Sequence, residues 1–75
     1  MKKTPLRVAV VGVGYVGALH AQVYAKLPGA CLAAVCDIRP TRARQIARRF
    51  RCHAVSDVRE LAGLVDAASV AVPTS

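Results

Sequence analysis

The sequence predicts an α/β domain in which a parallel sheet alternates with helices. Three observations carry this. Four short apolar runs recur along the 75 residues: Leu6 to Val11, Cys31 to Cys36, Cys52 to Val55 and Ala67 to Val72. Two of the segments between them have helical periodicity, and the third has a helix-start signal. A glycine turn, Gly12-Val13-Gly14-Tyr15-Val16-Gly17, joins the first run to the first helical segment. The order β-α-β-α-β-α-β, with right-handed crossovers, gives an expected strand order of 3-2-1-4.

The first run, Leu6 to Val11, lacks polar alternation, as suits a strand covered on both faces. Val16 to Lys26 follows as a helix. Val16, Leu19, Val23 and Leu27 recur at helical spacing and are expected to form its inner stripe, with small alanines at 18, 21 and 25. Pro28-Gly29 ends that helix. Cys31 to Cys36 is the second strand and closes on Asp37. Pro40 stands where a first helical residue tolerates proline. Ala43, Ile46, Ala47 and Phe50 then form an apolar stripe at i, i+3, i+4 and i+7. Cys52 to Val55 is a short third strand. Asp57 with Glu60 has capping-box spacing, and Val58, Leu61, Ala62 and Val65 are the expected inner face of a short third helix. Ala67 to Val72 is the fourth strand, followed by Pro73-Thr74-Ser75.

Seventy-five residues make at most one small domain, with only roughly 60% of the unfolded surface buried. The net charge is +7, and six of the eight arginines fall between Arg39 and Arg51. Most of these lie off the apolar stripe of the second helix, as a solvated face with long stems covering apolar surface. Nucleic-acid binding would need an aromatic platform or a reading helix as well, and the sequence has neither. Three cysteines without a C-x-x-C pair argue against a disulfide framework, and suit buried free thiols in a reducing, cytoplasmic setting. They also lack metal-ligand spacing. The uncharged stretch Val8 to Ala25 superficially resembles a signal or membrane segment. Gly12, Gly14, Gly17, His20 and Gln22 interrupt it, so neither export nor insertion is expected. No Ser-His-Asp, Cys-His or paired-carboxylate arrangement supports a hydrolase. His20 is expected to pack or hydrogen-bond.

The chemistry lies in the glycine turn. Strand, G-x-G-x-x-G and helix, with an acid at the end of the next strand, form the phosphate corner of a dinucleotide site. Gly12 permits the turn out of the strand, Gly14 lets a pyrophosphate approach the backbone, and Gly17 lets helix and strand pack closely. The helix directs free N–H groups and its positive end at the phosphate. Tyr15, inside the turn, is placed to cover part of the cofactor or a neighbouring loop. Asp37, 20 positions after Gly17, is expected to accept from the adenosine ribose hydroxyls, which favours NAD over NADP. Arg39 lies where a cation would hold a 2′-phosphate, so NADP stays open.

With these residues in view, Val8 to His20, Leu27-Pro28-Gly29-Ala30, Ala34-Val35-Cys36-Asp37, Arg42-Ala43, Ser56-Asp57, Glu60-Leu61 and Val70 to Ser75 resemble the opening of the glucose-fructose oxidoreductase / inositol dehydrogenase / rhizopine catabolism (Gfo/Idh/MocA) oxidoreductases. The resemblance covers essentially the whole chain. It implies a partial Rossmann fold, the N-terminal portion of an NAD(P)-binding domain, with a C-terminal substrate domain absent from residues 1–75. It further implies that Gly12, Gly14, Tyr15, Val16 and Gly17 line the pyrophosphate. Asp37 and Ile38 would flank the adenosine end, and Pro73 and Thr74 would lie near the nicotinamide. The implied reaction moves hydride between the nicotinamide and a hydroxyl-bearing carbon of a sugar, inositol or nucleotide sugar, in a homo-oligomeric whole protein. The family's catalytic lysine follows a fifth strand in a Glu-Lys-Pro segment, and its histidine and aspartate come later. No catalytic residue is therefore expected here, and Lys2, Lys3 and Lys26 do not substitute. The alternative is a non-catalytic cofactor-binding module acting through self-association or a partner chain.

Overall fold

A computed structural model describes residues 5–71 of the chain. Its elements are β1 (Leu6–Val11), α1 (Tyr15–Lys26), β2 (Ala30–Cys36), α2 (Pro40–Phe50), β3 (His53–Val55), a 3₁₀ turn (Val58–Leu61) and β4 (Ala67–Val70). The four strands form one parallel sheet in the order β3-β2-β1-β4, as expected for a partial Rossmann fold. The pairing steps by one residue between Val8 and Ala9: Val8 sits opposite Leu32 and Ala9 opposite Ala34. Ala33 is the extra residue of a bulge. It explains how Leu32 and Val35, an odd number of positions apart, both join the cluster under α1 and α2.

That cluster contains Val8, Val10, Val13, Ala21, Leu32, Val35, Ile46 and Ala47. The second helix behaves as its stripe predicts: Ala43, Ile46 and Ala47 are buried, Phe50 packs at the edge, and Pro40 opens the helix. Its end is less orthodox. Arg51 has φ 57° and ψ 50°, the left-handed conformation usually left to glycine, at a cost of about 1 kcal/mol.

The first helix corrects the sequence reading. Val16, Leu19, Val23 and Leu27 lie outward, each close to half exposed or more. Gly17 and Ala21 are the buried positions, and Ala18 and Tyr24 pack beside them. The reason is distance. A Cβ at Gly17 would lie 1.7 Å from the Gly12 carbonyl oxygen. A helix that close to its strand admits only its small-residue face.

The opposite sheet face carries a smaller cluster of Ala9, Ala34, Cys36, Val55 and Leu61, with Val11, Leu64 and Val65 at its margin. Here the expected third helix is replaced by the four-residue 3₁₀ turn. Leu61 is buried, but Val58 and Ala62 are exposed. Ala62 leaves the helical region at ψ 127°, and Gly63 follows at φ 83°. The Asp57 side chain caps the turn by accepting from the Arg59 backbone N–H at 2.9 Å, so the Glu60 half of a capping box is not what holds it. The fourth strand ends at Val70, because Ala71 already lies outside it. The remainder of its expected span, with Pro73 and Thr74, lies outside the described residues. At the other end of β4, Asp66 ties to Arg7 through the Arg7 backbone N–H at 2.8 Å and the guanidinium at 3.1 Å.

The thiols also need correction. All three are free, but Cys31 is exposed, while Cys36 is buried and Cys52 half-buried. Burial pushes the Cys52 thiol up to about 11 and raises Cys36 as well.

Candidate functional site

Parallel strands bring their carboxyl ends to one edge, and the site lies there. Val11 pairs with Cys36, so the residues just beyond them, Gly12 and Asp37, emerge side by side. Two backbone bonds fix that edge. The Gly12 N–H donates to the Cys36 carbonyl at 2.7 Å, and the Asp37 N–H donates to the Val55 carbonyl at 3.1 Å.

Two of the three glycines of the turn are demanded by the fold itself. Gly12 stands at φ 86°, a conformation other residues rarely adopt. Gly17 is required by the close approach described above. Gly14 is different. Its φ is −68°, and a Cβ there would meet only the Arg39 Nη2, at 3.8 Å. Neither the fold's backbone nor its packing demands glycine at 14, and the missing side chain leaves the turn open for a ligand. The α1 helix begins at this point. Its first turn has no side-chain cap and no acidic residue, so its N–H groups and positive end face the opening unopposed.

Asp37 is the one buried charged residue among those described. Its carboxylate is held from two sides. Oδ2 accepts from the Val13 backbone N–H at 3.0 Å and from Arg39 Nη2 at 3.0 Å. Oδ1 accepts from the Arg39 backbone N–H at 2.9 Å and from Arg39 Nε at 2.9 Å. The Arg39 guanidinium is foremost in lowering the carboxyl to about 2, with the backbone donors helping and burial opposing. Asp37 therefore steers the glycine turn as well as facing the cleft.

Arg42, which the sequence reading left among the solvated arginines, completes this frame. Its Nε donates to the Val13 carbonyl at 2.7 Å. The Val13 residue is thus gripped at its N–H by an acid and at its carbonyl by a base. No motif signals this contact. It becomes visible only once the crossover lays α2 beside the turn.

An open cleft of about 650 Å³ runs from Gly12 past Asp37, Ile38 and Arg39 to Ser56, Asp57 and Val58. The last three form its far wall, a place that no sequence signal marks. Ile38 and Tyr15 are almost fully exposed, one beside the cleft and the other beside the turn. Val16 also stands in the first turn of α1, with its side chain outward. The structure thus sets Gly12, Asp37, Ile38 and Arg39 along the cleft, with Gly14 beside Arg39 and with Tyr15, Val16 and Gly17 in the adjoining first turn of α1. His20 lies apart, with Nδ1 3.4 Å from Ser69 Oγ across to β4, the packing and hydrogen-bonding place expected for it. Among the described residues no cluster of His, Cys, Asp and Glu is arranged to hold a metal, and no helix is long and apolar enough to cross a membrane.

Residues 6–75 match the family model described as an oxidoreductase family, NAD-binding Rossmann fold. A UDP-N-acetylglucosamine 3-dehydrogenase of Acidithiobacillus ferrooxidans is 43% identical over 70 residues, covering 93% of this chain and 22% of that protein. Its solved structure superposes with a TM-score of 0.85 at 41% identity, over 97% of this chain and 24% of that one. GenD2 from gentamicin A biosynthesis, solved in complex with NAD, has a TM-score of 0.85 at 35% identity over 95% of this chain and 21% of its own. A scyllo-inositol dehydrogenase from Lactobacillus casei shares the fold, with a TM-score of 0.83 at 22% identity over 93% of this chain and 22% of that one. The chain spans less than a quarter of the length of these proteins.

Proposed function

The chain belongs to the Gfo/Idh/MocA oxidoreductase family, matched over its NAD-binding Rossmann fold, and on that premise we propose that it seats the adenosine diphosphate half of NAD. The uncapped first turn of α1 opposite Gly14 carries this reading. An anion there meets backbone N–H groups and a helix dipole, with no Cβ in the way. Gly12, Gly14, Tyr15, Val16 and Gly17 line the pyrophosphate. Asp37, Ile38 and Arg39 hold the adenosine end, with Ser56 and Val58 across the cleft. By family resemblance, Pro73 and Thr74 serve the nicotinamide end.

Residues 1–75 serve as the N-terminal portion of a nucleotide-binding domain, and a substrate domain belongs to the whole protein. When bound, NAD supplies the hydride acceptor. In the whole protein the hydride comes from a hydroxyl-bearing carbon of a sugar, inositol or nucleotide sugar. The protein is cytoplasmic, in keeping with three free thiols, and its whole form is a homo-oligomer. This chain's own residues bind and orient; none is catalytic.

Titration of the 75-residue chain with NAD, followed by amide NMR, tests the proposal. The expected result is millimolar binding with shifts at residues 12–17 and 37–39, lost in Gly14→Ala. Shifts confined to the outer arginines of α2 would contradict it. Micromolar affinity would contradict the view that only half of the dinucleotide is held.

A second reading, a cofactor-binding module that acts by self-association, is favoured by one observation. Among the described residues β4 pairs only with β1, and Val70 is 65% exposed. A free strand edge invites pairing. Size-exclusion chromatography giving a defined dimer would support the module, and a monomer or an undefined aggregate would not.

A further inference from the structure

We propose that Arg42 is a positioning residue: it holds the Val13 carbonyl away from the N-terminus of α1, so that the helix N–H groups stay free for an anion. The proposal rests on the nucleotide-seating role above and names what keeps that seat open.

A helix N-terminus has an internal competitor for its donors. The natural acceptor of each helical N–H is the carbonyl four residues earlier. For Gly17 that carbonyl belongs to Val13. The ladder of α1 begins one residue later, with the Ala18 N–H donating to the Gly14 carbonyl at 2.9 Å. The Gly17 N–H has no backbone acceptor among the described residues. The Val13 carbonyl accepts from Arg42 Nε instead, at 2.7 Å. Gly14 is extended rather than helical, at ψ −155°, so the helix does not take in the turn.

The same bond aims a second donor. The described peptide bonds are all trans, so the carbonyl and N–H of one peptide point in opposite directions. The carbonyl of the Val13-Gly14 peptide points at α2, and its Gly14 N–H therefore points away from α2. The preceding peptide is fixed as well, because the Val13 N–H donates to Asp37 Oδ2 at 3.0 Å. Released from Arg42, the Val13 carbonyl would be drawn to the positive end of α1. There it would take the Gly17 N–H and set an oxygen against those of the phosphate.

A direct role for the Arg42 charge fits less well. Arg42 is not among the residues lining the cleft. It is half-buried, whereas Arg44, Arg48 and Arg49 of the same helix are exposed, and its Nη1 is spent on Gln45 Oε1 at 3.3 Å. The guanidinium thus serves the backbone of the turn and its own helix.

Two substitutions separate the hydrogen bond from the charge. Glutamine carries an N–H as many bonds from Cα as arginine Nε, without the charge. Methionine places a methyl group at that reach and has no donor. The test is titration of wild type, Arg42→Gln and Arg42→Met with ADP-ribose, followed by amide NMR. In wild type the Gly14 and Gly17 amide protons should move downfield as ligand is added. Arg42→Gln should bind within about threefold of wild type, and Arg42→Met about tenfold more weakly, the fold-change of one hydrogen bond to a charged group. Ligand-free Arg42→Met should also show the Gly17 amide already downfield and slowed in exchange, as capture by the Val13 carbonyl requires. Arg42→Gln as weak as Arg42→Met would assign the effect to charge and overturn the proposal, even where Arg42→Met fails to fold. Wild-type affinity in Arg42→Met, or a Gly17 amide unchanged in that variant, would overturn it too, and either result leaves the nucleotide seat standing. No response at residues 12–17 in wild type would overturn the seat itself and this role with it.

Discussion

Gly14 and Gly17 occupy the same turn, but substitution by alanine should separate folding from binding. At Gly17 the new Cβ would fall 1.7 Å from the Gly12 carbonyl oxygen and 2.8 Å from its carbon. These are backbone atoms, and Gly12 is tied to Cys36 by a 2.7 Å bond. Relief requires the helix to move by about 1 Å or more, which places the cost at or above the upper end of ordinary overpacking, about 3 kcal/mol. A domain of this size has only about 4–11 kcal/mol in total. The melting temperature should therefore fall by about 12 °C or more. At Gly14 the backbone is ordinary and the nearest atom is the tip of a flexible arginine. Gly14→Ala should melt within about 3 °C of wild type, as surface substitutions do. It should nevertheless weaken NAD by about tenfold or more, because the methyl group stands where the phosphate approaches. Thermal melting by circular dichroism and NAD titration of the two variants measure both quantities. A Gly17→Ala chain melting within about 4 °C of wild type, a loss of about 1 kcal/mol at most, would refute the close-approach argument.

Four further outcomes follow from the same geometry. The Asp37 carboxyl lies below its ordinary value, so its charged form stabilises the fold above about pH 4, and that contribution is lost as pH falls toward about 2. Asp37→Asn should cost about 1–2 kcal/mol near neutrality, allowing for the solvent around Arg39, and urea denaturation of variant and wild type should converge in acid. Arg42→Ala should cost about 1–2 kcal/mol by removing the charged donor to Val13, and should increase amide exchange at Val13 and Gly14. Arg51→Gly should gain about 0.5–1 kcal/mol in urea denaturation by relieving the left-handed backbone. Leu19→Gln and Val23→Gln should change stability by no more than about 0.5 kcal/mol, because both side chains already face outward.

Much of this fold can be read from local pattern. Near-continuous apolar runs mark buried parallel strands, Pro40 marks a helix start, and the stripe from Ala43 to Phe50 points correctly inward. Those signals are short-range, and each is set by residues within one element. The errors arise where a partner element decides. Periodicity selects Val16, Leu19 and Val23 for the inner face of α1, but the approach of Gly17 to Gly12 rotates the alanine face inward instead. Propensity allows a helix from Val58 to Val65, but the reversal at Ala62 and Gly63 ends it after one turn. In the site, the glycines, Asp37 and Arg39 are legible because their spacing is the motif. Arg42 and the Ser56-to-Val58 wall are not, because sequence separation hides what the crossovers bring together. Saturation of Asp37 is hidden too: sequence places Arg39 nearby but does not say that its guanidinium occupies the carboxylate.

The central claim is that these residues seat the adenosine diphosphate half of the cofactor. Its most direct measurement is a paired NMR titration of the chain with ADP-ribose and with nicotinamide mononucleotide. ADP-ribose should shift residues 12–17 and 37–39 with an affinity within about threefold of NAD, a difference of under 1 kcal/mol. Nicotinamide mononucleotide should leave the Asp37 end unmoved. Equal binding of the two at the glycine turn, or binding of NAD that ADP-ribose cannot match, would contradict it.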